Sequence, residues 1–374
     1  MNLLHRPSIS PARPKRIALV LGGGGMKGFA HIGVLQALND RGIRPTLFAG
    51  TSIGALLAAA FAGGVTAEEM ERRAIAMRRR DLFRLDHMGM IKDRMNAPSI
   101  YLEGPLRGLV ESVVPRGTFA ELSSPLFVNT VDLERATQVI FGTPGLQDVN
   151  IQDAVYASCA LPGFFPPGKV GARYCVDGGV VDNLPVQIAA LWADLIIAVD
   201  VGSTERRLLK DVHSRGFANI YMRSASTMMH ALQQYPLESW SGPPMILIRP
   251  RCDGDWLSFA NTEQSIADGR QAAEAALVGF EAYLGQESGI FPRRHVQLEV
   301  ARDRCIGCGL CAALAPGLMG LDSSGKAFAR TKVVEWSPAD GDFVGSCPTN
   351  AIGARTIRQA ELPAPPSAPE QLAS

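Results

Sequence analysis

The sequence predicts an α/β protein built around a mostly parallel sheet, followed by a small α+β C-terminal domain. Three observations predict it. An apolar run at Ile17–Leu21 enters the glycine stretch Gly22-Gly23-Gly24-Gly25 and then a helical pattern with Ile32, Leu35 and Leu38 on one face. The same order returns with a strand over 45–49, the turn Gly50-Thr51-Ser52-Ile53-Gly54 and an alanine-rich helix. Strand, glycine turn and helix in repetition are the mark of a parallel α/β core. Past 285–289 the pattern changes, and four cysteines, Cys305, Cys308, Cys311 and Cys347, fall in the remaining segment.

Taken in order, 1–16 is basic and proline-bearing without an apolar core, which predicts a flexible tail and not a secretory signal. The first domain spans 17–288, with further strands over 126–131, 176–180 and 195–200 and a last helix over 266–284. Between these, 70–107 reads as helical and rich in methionine and arginine. A second domain spans 289–360, opening on an alternating strand over 295–300. The proline-rich 361–374 predicts a disordered tail.

Composition narrows the function. The 374 residues are 47% hydrophobic and 20% charged, and the formal net charge of +1 offers no argument for a nucleic-acid partner. No apolar run reaches the roughly 18 to 20 residues that span a bilayer, so a cytoplasmic location is expected. Seven cysteines cannot close a complete disulfide framework. Cys159, Cys175 and Cys252 read as small structural residues.

Gly23-x-Gly25-x-x-Gly28 matches a dinucleotide fingerprint, but the second strand ends without the carboxylate that would hold a ribose. A phosphate-binding loop fails as well, because Lys27 is followed by Gly28. Gly50-x-Ser52-x-Gly54 fits better, as a sharp strand-to-helix turn that exposes a serine nucleophile. Backbone N–H groups of the preceding glycine loop then point to an oxyanion hole. The serine needs a base. No later histidine occupies a strand-end loop, whereas Asp177-Gly178-Gly179 does; Asp177 is either that base or a turn cap.

Over about 17–284 these motifs, with 157–166 ahead of the aspartate, resemble the patatin-like phospholipase family in type and order. The resemblance implies a patatin-like three-layer core and a catalytic dyad of Ser52 and Asp177. It also implies an oxyanion hole from Gly23, Gly24, Gly25, Met26 and Lys27, and hydrolysis of acyl esters such as phospholipids. Many members carry arginine where this chain has Lys27. His31 is expected to be structural, since a dyad needs no third member. Asp200 reads as a turn residue, and Asp182-Asn183 either as positioning the aspartate loop or as surface turn chemistry. The basic, methionine-bearing stretch 70–95 is either a peripheral membrane contact, at the inner face of the membrane, or an ordinary helix with one solvated side.

Cys305-x2-Cys308-x2-Cys311 with Cys347-Pro348 resembles bacterial-type ferredoxins that bind one cluster, over about 295–357. Ala315 stands where two-cluster relatives carry another cysteine, so one [4Fe–4S] cluster is implied, held by these four thiolates. Zinc is the alternative for four thiolates; three sulfurs on one short loop and the Cys-Pro pair favour the cluster. Such a cluster implies redox regulation or electron exchange with a redox partner. A different reading is an electron-transfer or scaffold protein whose first domain binds acyl groups without turnover.

Overall fold

The computed structural model describes residues 16–92, 97–202, 211–252 and 257–358. The chain divides into two compact units, 1–292 and 293–374.

In the first unit the strands β1 (Ile17–Leu21), β2 (Leu47–Thr51), β3 (Leu126–Asp132), β4 (Thr137–Phe141), β5 (Gly168–Val170), β6 (Arg173–Asp177), β7 (Leu195–Val199), β8 (Met245–Ile248) and β9 (Ile290–Phe291) form one sheet. Its order is β5-β6-β3-β2-β1-β7-β8-β9, with β4 also paired to β3. From β3 through β9 the pairs are parallel, while β4, β5 and β6 join antiparallel. Strands β2, β3 and β7 are buried along their whole length, as continuous apolar runs flanked by helices should be.

The helices are α1 (Ala30–Asp40), α2 (Ile53–Ala62), α3 (Ala67–Ala76), α4 (Arg79–Leu82), α5 (His87–Lys92), α6 (Glu103–Val113), α7 (Ile151–Cys159), α8 (Val186–Ala190), α9 (Gly216–Glu238), α10 (Thr262–Ala276) and α11 (Phe280–Tyr283). Their starts follow capping chemistry where the sequence supplies it. Thr66 accepts from the Glu69 N–H at 3.2 Å, with Glu68 and Glu69 in the first turn of α3. Asn150 accepts from the Asp153 N–H at 3.1 Å to open α7. Helix α2 is almost wholly buried. It lies so close to the sheet that a Cβ on Gly54 would sit 2.1 Å from the Leu21 carbonyl oxygen, and one on Gly50 2.6 Å from the Ala55 nitrogen. Both glycines of the G-x-S-x-G turn are therefore required by contact.

Three expectations shift. The strand expected over 176–180 stops at Asp177, and Gly178–Val180 forms a 3-10 turn. The last helix breaks at Leu277–Gly279 into α10 and α11. Strand β9, with Met245↔Ile290 and Ile246↔Phe291 in register, carries the first sheet past 289, and the compact units part between Pro292 and Arg293.

The second unit has β10 (Arg294–Val300) between β13 (Val333–Trp336) and β14 (Ile352–Thr356), all antiparallel, and a hairpin of β11 (Met319–Leu321) and β12 (Ala327–Ala329). Short helices α12 (Leu310–Leu314) and α13 (Asp342–Gly345) complete it. Val296, Leu298, Met319, Trp336 and Phe343 pack with Cys305 and Cys311 into a small core. The tail 361–374 and most of 1–16 lie outside the described residues.

Candidate active site and cysteine pocket

The register of β3 explains how Ser52 meets Asp177. Parallel β2 ends with Thr51 opposite Asn129. Antiparallel β6 ends with Asp177 opposite Thr130. Because β4 pairs with the same β3 residues, 128–132, on the other edge, β2 and β6 share one edge and run toward each other. Their C-terminal ends converge one residue apart on β3, about 3.3 Å along the strand. The serine that follows Thr51 is thereby brought against the aspartate that ends β6, 125 positions later in the chain.

Ser52 has φ 56° and ψ −129°, a backbone conformation that non-glycine residues rarely adopt. Its surroundings hold it there. The Ser52 N–H donates to Ser158 Oγ at 2.9 Å, and Ser158 Oγ donates to the Asn129 carbonyl at 2.7 Å. Asn129 Nδ2 donates to Thr51 Oγ1 at 3.2 Å and to the Asp182 carbonyl at 2.6 Å.

Asp177 is 3% exposed. Burial pushes its carboxyl up to about 6, against the hydrogen bonds from the Ser52 hydroxyl and the Gly179 N–H, the latter 2.8 Å long. A carboxylate is ordinarily a weak base, and desolvation is what strengthens this one. The same environment settles a rival. Cys159 lines the same pocket, and burial, then the Asp177 charge, pushes its thiol well above its ordinary range. It stays protonated and is a poor competing nucleophile.

Gly23, Gly24, Gly25 and Met26 line the pocket beside Ser52. An oxyanion donor at Gly23 is corrected by the geometry, since its N–H already donates to the Asn183 carbonyl at 3.1 Å. The candidate donors begin at Gly24 and Gly25, where the 3-10 turn Gly25–Phe29 starts and leaves its first N–H groups without intrahelical acceptors. Lys27 is buried and is not among the lining residues. His31 is fully buried, with Nε2 2.8 Å from the Gly22 carbonyl oxygen. Desolvation lowers it to about 4, against that bond and the charge of Asp200, so it is neutral and braces the loop. Asp200 is likewise structural: it accepts from the Gly202 N–H at 3.1 Å and pairs with Arg249 at 3.0 Å.

The pocket holds about 1070 Å³ of empty space, counting the part open to solvent. From Ser52 and Asp177 it runs beside α2 past Leu56 and Ala60 to walls from α3 and α6, and its lining is almost wholly apolar. Much of the methionine-rich stretch faces inward here: Met70, Met77, Leu82 and Phe83 are lining residues. Of the two readings of 70–95, these inward residues fit the ordinary one, a helical stretch with one buried and one solvated side. Arg73 contributes its stem to the lining while its head binds Glu69 and the Ser112 carbonyl. Helix α5 turns its apolar residues furthest outward, with Met88 75% and Ile91 73% exposed, while Ile75 and Leu85 are exposed to a lesser degree; 93–95 lie outside the described residues.

In the second unit Cys305, Cys308, Cys311 and Cys347 all line one pocket, and none of them is in a disulfide. Gly307 and Gly309, both at positive φ, let the loop wrap around it. The Ala327 N–H points at Cys305 Sγ at 3.4 Å and the Ala351 N–H at Cys347 Sγ at 3.3 Å. Burial raises Cys347, but N–H bonds from Ala351, Thr349 and Ile352 together outweigh it and bring the thiol below its ordinary range. These are the features of a site for thiolate ligands with hydrogen bonds to sulfur. Among the described residues, no three His, Cys, Asp or Glu side chains converge closely enough to hold a single ion.

Sequence reasoning missed Asn129 and gave Ser158, inside the segment 157–166, no role of its own. Each acts through a polar bond between strands or helices distant in the chain, for which a single sequence carries no periodic signal.

Two family models match the chain, one in each unit. The patatin-like phospholipase model matches residues 19–190, and the 4Fe-4S single cluster domain matches 298–353. An uncharacterized NTE family protein of Mycobacterium tuberculosis is 33% identical over 227 residues, 60% of this chain and 59% of that protein. Patatin-like phospholipase domain-containing protein 7 of Rattus norvegicus is 31% identical over 196 residues, 50% of this chain and 14% of the relative. The chain thus spans well under two thirds of the length of these relatives. Among solved structures, VipD from Legionella pneumophila aligns at a TM-score of 0.38 and 17% identity, over 71% of this chain and 67% of that one. Residues 19–190 thus match the patatin-like phospholipase family and residues 298–353 a 4Fe-4S single cluster domain.

Proposed function

We propose that the first unit is a serine acyl-ester hydrolase of lipid substrates, with Ser52 as nucleophile and Asp177 as base. The observation that carries this reading is the convergence of β2 and β6 on β3, with the serine hydroxyl hydrogen-bonded to a buried carboxylate beside an apolar pocket. Asp177 takes the Ser52 proton as Oγ attacks the ester carbonyl. The Gly24 and Gly25 N–H groups hold the resulting oxyanion. When the intermediate collapses, Asp177 returns the proton to the leaving alcohol, and the acyl group stays on Ser52. Water then gives a proton to Asp177 and attacks, which releases the carboxylic acid and restores the serine. The test is fatty-acid release from phospholipid vesicles and short-chain esters by the native chain beside Ser52→Ala.

The apolar lining supports an acyl chain lying along α2. Ala60 is eight residues beyond Ser52, about 12 Å along the helix axis. Ala60→Phe is expected to cost long-chain esters about 5- to 150-fold in kcat/KM, since overpacking costs about 1–3 kcal/mol, while short-chain esters are spared. Equal losses at every chain length would contradict this path. The outward Met88 and Ile91 on α5, next to Lys92, support peripheral contact with an anionic lipid surface. Among the described residues no helix is long and apolar enough to cross a membrane.

The second unit holds one [4Fe–4S] cluster on Cys305, Cys308, Cys311 and Cys347, which supplies a one-electron couple when bound. Support comes from four thiols around one pocket and N–H donors aimed at two sulfurs. Purified without oxygen, the chain is expected to carry about four iron atoms and four sulfides. Cys308→Ser is expected to lose most of both; a Cys308→Ser chain with full iron content would contradict the ligand set. Ile306 and Leu310, 65% and 40% exposed at this pocket, favour electron exchange with a partner protein. Redox regulation of the hydrolase would appear as a difference in ester turnover between reduced and oxidised protein.

A further inference from the structure

The dipeptide Asp182-Asn183 touches every part of the candidate catalytic site. The Asp182 carbonyl accepts from Asn129 Nδ2 at 2.6 Å and from Thr51 Oγ1 at 3.3 Å, which ties it to the residue preceding the nucleophile. Asn183 grips the glycine loop twice. Its carbonyl accepts the Gly23 N–H at 3.1 Å, and its side-chain Nδ2 donates to the Gly23 carbonyl at 3.0 Å. The same Nδ2 donates to Gln233 Oε1 on α9 at 3.3 Å. Two acceptors on Nδ2 fix which way the amide points.

The side chain is also wedged. It is 4% exposed, and a Cβ on Gly23 would meet its Oδ1 at 2.5 Å, one on Gly179 at 2.8 Å. A Cβ on Gly202 would meet its Nδ2 at 2.6 Å. The glycine loop, the aspartate loop and the end of β7 thus all close on one amide. Resting on the hydrolase reading above, we propose that Asn183 is the positioning residue of the oxyanion hole. By holding the Gly23 peptide on both sides, it fixes the direction of the next two N–H groups, Gly24 and Gly25. It touches no reacting atom in this role.

The distinction from a merely structural residue is geometric. A hole of fixed direction favours a carbonyl oxygen over a larger sulfur at the same position, so native protein should hydrolyse an oxo-ester far faster than its thiono-ester. Asn183→Ala is expected to lower kcat for the oxo-ester about 10- to 100-fold, with KM little changed. It should also reduce the oxo-to-thiono rate ratio by about tenfold, because a loosened hole no longer discriminates. Asn183→Asp keeps the shape but loses the donor to Gly23, and should behave like alanine. Thermal unfolding of each variant reports whether it folds. If alanine does not fold, the aspartate variant carries the test.

A folded variant with an unchanged ratio, whatever its rate, would overturn the positioning role. Native protein without Ser52-dependent turnover of either ester would instead overturn the hydrolase reading on which the role depends.

Discussion

Ser52→Ala is expected to lower acyl-ester hydrolysis by at least about 1,000-fold while leaving the fold and the cysteine domain intact. The size of the effect follows from covalent catalysis: without Oγ there is no acyl-enzyme, and water has to attack the ester directly. The fold is spared because the bonds that hold the elbow use the Ser52 backbone N–H and not its hydroxyl. Alanine carries the same Cβ and adds nothing to the strained φ of 56°. Rates on an ester series, with thermal unfolding as control, check this. Retained turnover in a pure variant would remove Ser52 from the mechanism.

Asp177→Asn is expected to lose about 1,000- to 10,000-fold in rate and yet to unfold at higher temperature at neutral pH. Burial raises the native carboxyl from 3.8 to about 6, so the folded state favours the protonated form. The sign follows: the group's contribution to stability is fully present below 3.8 and is lost as pH rises through about 6. At pH 7 the buried charge therefore costs the native protein about 3 kcal/mol, which a neutral asparagine avoids. The gain in stability should be full above about pH 6 and vanish below about pH 4, as the native carboxyl becomes neutral in both states. Activity runs the other way. The base works only when ionised, so native turnover should rise about tenfold per pH unit up to about 6 and then level. A flat profile through that range, or an asparagine variant less stable than native at pH 7, would contradict the assigned role. A site that sacrifices stability for a strong base is a familiar trade in enzymes.

How much of this was legible in the sequence depends on what kind of signal each feature leaves. The turns around Gly23, Ser52 and Asp177 are legible because each places small residues where two elements nearly touch, and such requirements are local. The cysteine spacing is legible for the same reason. What brings Ser52 to Asp177 is not local: it is a one-residue offset on β3 and the antiparallel entry of β6. Nothing in the run of residues 173–177 distinguishes that strand from a parallel neighbour. The inward path of Met70, Met77, Leu82 and Phe83 was hidden too, because an amphipathic helix facing a cavity and one facing a core or a lipid share the same period. Asn183, open between surface turn and positioning residue, could be assigned only once its two bonds to Gly23 were visible.

The most direct measurement of the central claim is to treat the native chain with a fluorophosphonate and locate the adduct by peptide mass spectrometry. A serine phosphonylated through its own oxyanion hole and base identifies the nucleophile without any assumption about substrate. The account predicts a single adduct on Ser52 at neutral pH, slowed by at least about 1,000-fold in Asp177→Asn. An adduct on another residue, or none on a folded chain, would contradict it.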